Sequence, residues 1–169
     1  MIIPEIVQRR SIRSYQAKEV EPDKLERIIE AACLAPSARN RQDWKLLIVT
    51  DSGIKGRLIE KSASHQPFMH QAPILIAACA VNPDYLMRCG QAAYPIDLAI
   101  VLDHLSLQAV REGLGTCWIG SFDEQPAREV LGVPAEVRIV ELMTLGYPMN
   151  IPPASARKSQ KELIGFEKW

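Results

Sequence analysis

The stretch GLGTCWIG, Gly113 to Gly120, decides the fold. Its three glycines in eight residues invite comparison with the dinucleotide fingerprint GxGxxG, which follows a strand and opens a helix onto a pyrophosphate. The spacing differs, because GxG is followed here by four residues before the next glycine. The context is reversed as well. An apolar helical run, Pro95 to Gly113, precedes the glycines, and a short strand, Thr116 to Gly120, contains the last of them. No GxxxxGK phosphate loop occurs in the chain. Neither a dinucleotide fingerprint nor nucleotide triphosphate chemistry is signalled, and Gly113 and Gly115 read as a helix stop and a turn. Gly120 is less easily dismissed. A glycine at a strand end, with Ser121 behind it, leaves backbone N–H groups open to a close-lying ligand.

Outward from this stretch the chain reads as helices first, then strands alternating with helices. IPEIVQRR, residues 3–10, predicts a short helix with Pro4 in its first turn. The run 21–35 predicts a stronger one, with Leu25, Ile28, Ile29 and Ala32 at helical spacing and Pro36 as its stop. WKLLIVT at 44–50 is a strand, and Asp51 caps a helix reaching residue 63. APILIAACAV, 72–81, is apolar throughout, the pattern of a strand covered on both faces. The 95–113 helix is apolar nearly all round and is expected to be central. Asp123 caps a helix through Leu131, which Gly132 closes, and 137–147 is the last strand. Residues 148–160 are proline-rich and extended, and a short amphipathic end follows, expected to wrap over a neighbouring surface. This order predicts a single domain of α+β class, a sheet with helices packed on it.

Composition narrows the function classes. In 169 residues, 20 Lys and Arg balance 20 Asp and Glu, so long-range attraction to nucleic acid or an anionic membrane is not implied. The longest apolar stretch, 96–107, is broken by Asp97, Asp103 and His104 and is too short to span a bilayer. Cys33, Cys79, Cys89 and Cys117 form no CxxC pair. Three of them lie in apolar runs and are expected as small buried side chains, in a soluble, reducing, cytoplasmic setting. His65 and His70 are five apart and do not share a helical face, so no metal site is signalled. His104 is expected as a hydrogen-bonded core or interface residue.

Against zero net charge, RRSIRSY, Arg9 to Tyr15, packs three arginines into five positions. They repel one another unless solvent or an anion compensates. If the first helix continues, Arg9 and Arg13 are i,i+4 and aim at one point, with Ser11 adding a hydroxyl. Arginine suits a phosphate because its planar fork makes two parallel hydrogen bonds. Arg157 and Lys158 add late positive charge. APSARNRQDW, Ala35 to Trp44, crowds Ser37, Arg39, Asn40 and Gln42 into one loop beside a tryptophan, and donor-rich loops of this kind often bind small molecules.

These segments, in this order, resemble the nitroreductase family of flavin enzymes. RRSIRSY, APSARNRQDW, Ala72–Pro73, GLGTCWIGSFDE, LGVP (131–134), LGYP (145–148) and ARKSQKEL (156–163) carry the resemblance over almost the whole chain. It implies a central, mostly antiparallel sheet flanked by helices, and a homodimer with FMN at its interface. It places Arg9, Ser11 and Arg13 on the cofactor, with Arg10 beside them. Arg13 is assigned to the N1–C2 edge of the ring, and Arg9, Arg157 and Lys158 to the phosphate. Pro36, Ser37, Ala38 and Asn40 are expected from the other subunit. Ile119 and Gly120 are expected against the ring near N5, with Gly120 or Ser121 donating a backbone N–H. The tail from about residue 148 to 169 is expected to extend over the partner.

Two departures from the family pattern stand out. Asp43 occupies a position that is usually proline, and no lid insertion is evident between Asp84 and Tyr94. The activity implied is hydride transfer from NADH or NADPH to electron-poor acceptors by a ping-pong route, with no side chain as acid, base or nucleophile. The alternatives are a specialised enzyme of the same fold, such as a reductive dehalogenase or a flavin-destroying enzyme, and a protein that stores FMN without turnover.

Overall fold

The computed structural model describes residues 1–169. Four strands, β1 (Trp44–Val49), β2 (Ile74–Ala80), β3 (Gly115–Ile119) and β4 (Arg138–Gly146), form one sheet in the order β1-β2-β4-β3. Every neighbouring pair is antiparallel. The helices are α1 (Pro4–Gln8), α2 (Pro22–Cys33), α3 (Ser52–Ser62), α4 (Ala93–Arg111), α5 (Glu124–Leu131) and α6 (Gln160–Leu163). Short three-ten turns lie at Ala38–Asn40 and Pro67–Gln71.

The sheet is covered on both faces, which is why β2 is buried along its entire length. Its side chains alternate with period two. Leu75, Ala77 and Cys79 join Leu58, Ile59 and Met69 on the face covered by α3 and α5. Ile74, Ile76, Ala78 and Ala80 join Ile28, Leu98, Leu102 and Leu105 on the face covered by α2 and α4. A register shift interrupts β4: Ala78 pairs with Glu141, and the next residue, Cys79, pairs with Ile139. Val140 is the extra residue of this bulge, and it puts Glu141 on the α4 face while Ile139 stays on the α3 face.

Most expected elements are present, with several corrections. α4 is central but not apolar all round: Asp103 is exposed, as is Ile96, while its inner face buries Leu98, Val101, Leu102 and Leu105. Asp51 caps α3 by accepting the Ile54 N–H at 2.8 Å. Asp123 precedes α5 but its side chain caps nothing. The next residue, Glu124, reaches instead to the Arg138 guanidinium and the Ile139 N–H at the start of β4. Of the three cysteines expected inside, Cys33 is exposed, on the outer side of α2, whereas Cys79 and Cys117 are buried. His104 is half-buried and has no side-chain hydrogen bond; it lines a shallow groove with Ile3, Leu34 and Leu107. Gly113, at φ +77°, stops α4 as expected. Gly115 is not a turn residue. It opens β3, and a Cβ there would meet Ile12 Cγ1 at 2.3 Å, so its bareness admits the N-terminal segment. No helix is long and apolar enough to cross a membrane.

Candidate functional site

The N-terminal helix stops two residues before it was expected to. α1 ends at Gln8, and Arg9 has ψ 130°, an extended conformation. Arg9 and Arg13 are therefore not successive turns of one helix. The chain runs extended beside β3 instead, with Ser11 bridged to Thr116 in parallel and the Ile12 N–H donating to Thr116 O at 2.9 Å. In extended backbone alternate residues share a side. Arg9, Ser11 and Arg13 thus face one way, while Ile12 turns inward and is buried. The convergence inferred from helical spacing is real, but strand periodicity produces it. The segment also covers the outer edge of β3, which would otherwise stay open to another strand.

Arg9, Arg10, Ser11 and Arg13 line a cavity of ≈ 430 Å³, closed on the other side by Pro152, Pro153 and Arg157 of the tail. No acidic residue lines it. None of the chain's ion pairs includes any of these arginines. Arg10 is oriented by its own backbone: Nη1 donates to Val7 O at 2.7 Å and to Arg9 O at 2.9 Å, and its buried Nε has no partner. Arg157 makes one weak local bond, to Ala156 O at 3.4 Å. Four guanidinium groups and the hydroxyls of Ser11 and Ser155 around an acid-free cavity are a donor set that could hold a dianionic phosphate. Lys158 is exposed and lies outside this lining.

The turn after α2 is a second, separate group. Arg39, Asn40 and Gln42 all have positive φ, between 52° and 54°, a conformation that costs non-glycine residues energy and persists only when surroundings enforce it. Two bonds do so here. The Ala38 N–H donates to Asp97 Oδ1 at 3.0 Å, and the Gln42 N–H donates to Ser37 Oγ at 3.0 Å. Asp97 is buried on α4. It was visible in the sequence only as an acid interrupting an apolar run, and its purpose is to hold this turn. Pro36 and Asn40 are exposed, Ser37 and Ala38 half-buried, and none of the four reaches the arginine cavity of its own chain. Asp43 closes the turn by pairing with Arg41, whose guanidinium stacks 4.5 Å from the Tyr85 ring.

The end of β3 is the third group. Ile119 is buried, whereas Gly120 and Ser121 are exposed. His65 Nε2 lies 2.8 Å from Ser121 Oγ, a pairing that no sequence spacing signals, since 56 residues separate the two. Glu141 of β4 is half-buried beneath Gly120 and was also missed. Burial pushes its carboxyl up to about 7, opposed by the Ile119 backbone N–H. No group of three or more His, Cys, Asp or Glu could hold a metal ion.

Residues 6–66 and 55–147 match the Nitroreductase family. The chain belongs to this family. Its antiparallel four-stranded sheet between helices is the nitroreductase-like fold. Among its relatives, a putative NADH dehydrogenase/NAD(P)H nitroreductase of Archaeoglobus fulgidus is 30% identical over 154 residues, covering 86% of this chain and 84% of the relative. A nitroreductase family protein of Clostridium novyi NT is 34% identical, with a TM-score of 0.81 over 87% of this chain and 84% of that one. An FMN-dependent nitroreductase of Clostridium difficile R20291 is 27% identical, with a TM-score of 0.84 over 99% and 100%. Within the connection between β2 and α4, a turn is bridged at Leu86 and Ala92.

Proposed function

We propose that this chain is an FMN-dependent oxidoreductase, active as a homodimer, that takes hydride from NADH or NADPH and passes it to electron-poor acceptors such as nitroaromatics, quinones and activated alkenes. The observation that carries this reading is the acid-free cavity walled by Arg9, Arg10, Arg13 and Arg157, in a chain of zero net charge. When bound, FMN supplies the two-electron chemistry, and the protein supplies binding, orientation and electrostatics. Arg9, Arg157 and Ser11 hold the phosphate, Arg10 and Lys158 add to the positive field, and Arg13 addresses the ring edge that becomes negative on reduction. Gly120 or Ser121 offers a backbone N–H near N5, with Ile119 behind the ring.

The homodimer is supported by what a single chain leaves outside its own cavity. Pro36, Ser37, Ala38 and Asn40 sit on a strained, braced turn that does not meet the arginines of the same chain. Ile2, Ile3, Leu34, Phe166 and Trp169 are exposed apolar groups, and the tail from residue 148 to 169 is extended enough to lie over a partner. A dimer of this kind buries about 2,000–5,000 Å². Neither nucleic acid nor a membrane is part of this reading, and four unpaired thiols suit a reducing, cytoplasmic setting. Asp43 is neutralised by Arg41, so it does not by itself disfavour the extra phosphate of NADPH.

The test is anaerobic. The purified protein is expected to be a dimer by light scattering and to release FMN, identified by mass, at about one per protomer. NADH or NADPH is expected to bleach it, and an acceptor panel to restore the colour. FAD in place of FMN, or a colourless monomer that FMN does not reconstitute, would overturn the reading. Bleaching too slow to support turnover would indicate a storage protein, and irreversible spectral loss a flavin-destroying enzyme.

The kinetic order follows from access. Nicotinamide and acceptor must each come within about 3–3.5 Å of the same reacting atom, and a ring packed on protein offers one open face. The donor therefore leaves before the acceptor enters. Double-reciprocal plots at several acceptor concentrations are expected to be parallel; intersecting lines would remove the one-face argument.

A further inference from the structure

The ladder between β3 and β4 ends with Ile119 paired to Leu142, so one step further Gly120 stands opposite Glu141. A side chain at residue 120 would begin 3.4 Å from Glu141 Oε2 and 3.7 Å from Oε1. The carboxyl group thus fills the space directly behind the one exposed glycine of the strand end. The backbone N–H of Ile119, one residue before that glycine, acts on the carboxyl to hold it down against the effect of burial. The bulge at Val140 is what aims Glu141 to this side of the sheet.

No cation pairs with this carboxyl: Glu141 is absent from the six ion pairs of the chain. Across the ladder from it on β2 stands Ala78, and on β3 its neighbour on the same face is Trp118. α4 covers this face and brings Tyr94 and Asp97, neither of them cationic, and the cation that shares the face on β4, Arg138 opposite Ala80, is paired with Glu124. On the exposed side the turn carries the His65–Ser121 pair. At the Cys117 thiol, raised chiefly by burial, Arg13 and Arg9 pull the pKa down while Glu141 pushes it up.

We propose that Glu141 is a proton-holding residue that charges and discharges in step with the ligand on the Gly120–Ser121 turn, coupling proton uptake to flavin reduction. This rests on the reading above that FMN lies against that turn. The physical argument is short. A half-buried carboxylate without a counter-ion is costly to keep charged, and burial places its pKa at about 7. Negative charge gained by a ligand beside Gly120 raises that pKa further. In the neutral range Glu141 then takes one proton from water, as its carboxylate becomes a carboxylic acid. At low pH it is already protonated in both states, and no uptake remains. The carboxyl touches no reacting atom and acts through charge alone, so it is a positioning residue.

The test compares the FMN-loaded protein with its Glu141→Gln variant, which keeps the shape and removes the titration. Each is reduced anaerobically by NADH in weakly buffered solution with an indicator dye. Hydride transfer carries both electrons and their hydrogen from donor to flavin and draws none from water, so solvent uptake counts proton-linked groups, and flavin's own share cancels between the two proteins. The wild type is expected to take up more protons than the variant, by up to about one per flavin near pH 7–8, with the difference vanishing below about pH 5. Carbon-13 NMR of the flavin-free protein is expected to show one carboxyl titrating near neutral pH, lost in Glu141→Gln. Equal uptake by the two proteins, or a Glu141 carboxyl that titrates in the ordinary range, would overturn the proposal. A protein that takes up no FMN would fail before any reduction is attempted, and would overturn the parent reading of the site together with this one.

Discussion

Arg13→Ala is expected to weaken FMN binding by about 10–150-fold and to make the bound flavin harder to reduce. The first figure follows from losing a hydrogen bond to a charged group, about 1.5–3 kcal/mol, at about 1.4 kcal/mol per tenfold. Arg13 is a sensitive position because nothing in the chain competes for it: it has no acidic partner, and it lines a cavity in which every charged group is an arginine. The second effect depends on which part of the ligand it meets. At the ring edge, the negative charge appears only on reduction, so the reduced form loses more than the oxidised form and the potential falls. At the phosphate, the charge is the same in both states. Arg157→Ala is therefore expected to weaken binding by a similar factor with little change in potential. Fluorescence titration with FMN and dye-equilibrated potentiometry of both variants check this. Equal shifts of potential would show that the division between ring edge and phosphate is wrong.

Much of the fold was legible because it rests on local rules. The continuous apolar run of β2, the aspartate before α3 and the glycine after α4 each act through their own neighbours in the chain. The errors share a physical origin in long-range packing. Arg9 and Arg13 were linked through an imagined helix, but the chain leaves helical geometry at Arg9 because Ile12 has a buried place against Gly115 and a backbone partner in Thr116. Gly115 reads as a turn in the sequence, which does not show what packs on it. Glu141 was invisible for a related reason. In a regular strand residues 139 and 141 share a face, and a single extra residue, Val140, separates them. Asp97 had a signal, an acid in an apolar helix, but its partner is a backbone N–H 59 residues away. Of the three groups of candidate residues, one chain gathers only the arginines around a cavity; the turn after α2 and the end of β3 lie apart from it.

Tyr15→Ala is expected to be the most damaging single substitution near the site, costing about 3–5 kcal/mol, the range for removing a large buried aromatic. Tyr15 is 4% exposed and ties the arginine segment to the sheet in several ways. Its hydroxyl donates to Ile12 O at 2.8 Å and meets Thr144 Oγ1 at 2.6 Å, and Thr144 in turn accepts the Cys117 N–H at 3.1 Å. Its own N–H donates to Gln71 Oε1 at 3.1 Å, and its ring lies where a Cβ on Gly146 would come within 3.0 Å. It also bridges Pro148, where the tail that carries Arg157 begins. The side chain thus fixes the backbone of Arg9 to Arg13, while the residue's own backbone meets the root of the opposite wall. Removing the side chain leaves a cavity and unpaired groups at Ile12 and Thr144, and loosens the arginine segment. In a domain of this size the melting temperature is expected to fall by roughly 6–20 °C, at about 2–4 °C per kcal/mol. FMN affinity is expected to fall with it, since a loosened segment must be ordered again on binding. Tyr15→Phe separates the two contributions. It keeps the ring and loses the hydroxyl, costing about 1–3 kcal/mol for the polar groups left behind, and should hold FMN nearly as well as the wild type. Thermal unfolding of the flavin-free proteins gives the stability, and titration with FMN well below the melting temperature gives the affinity. If Tyr15→Ala lost its stability and still bound FMN as tightly as the wild type, the arginines would be organised by the ligand itself and not by the extended segment that Tyr15 anchors.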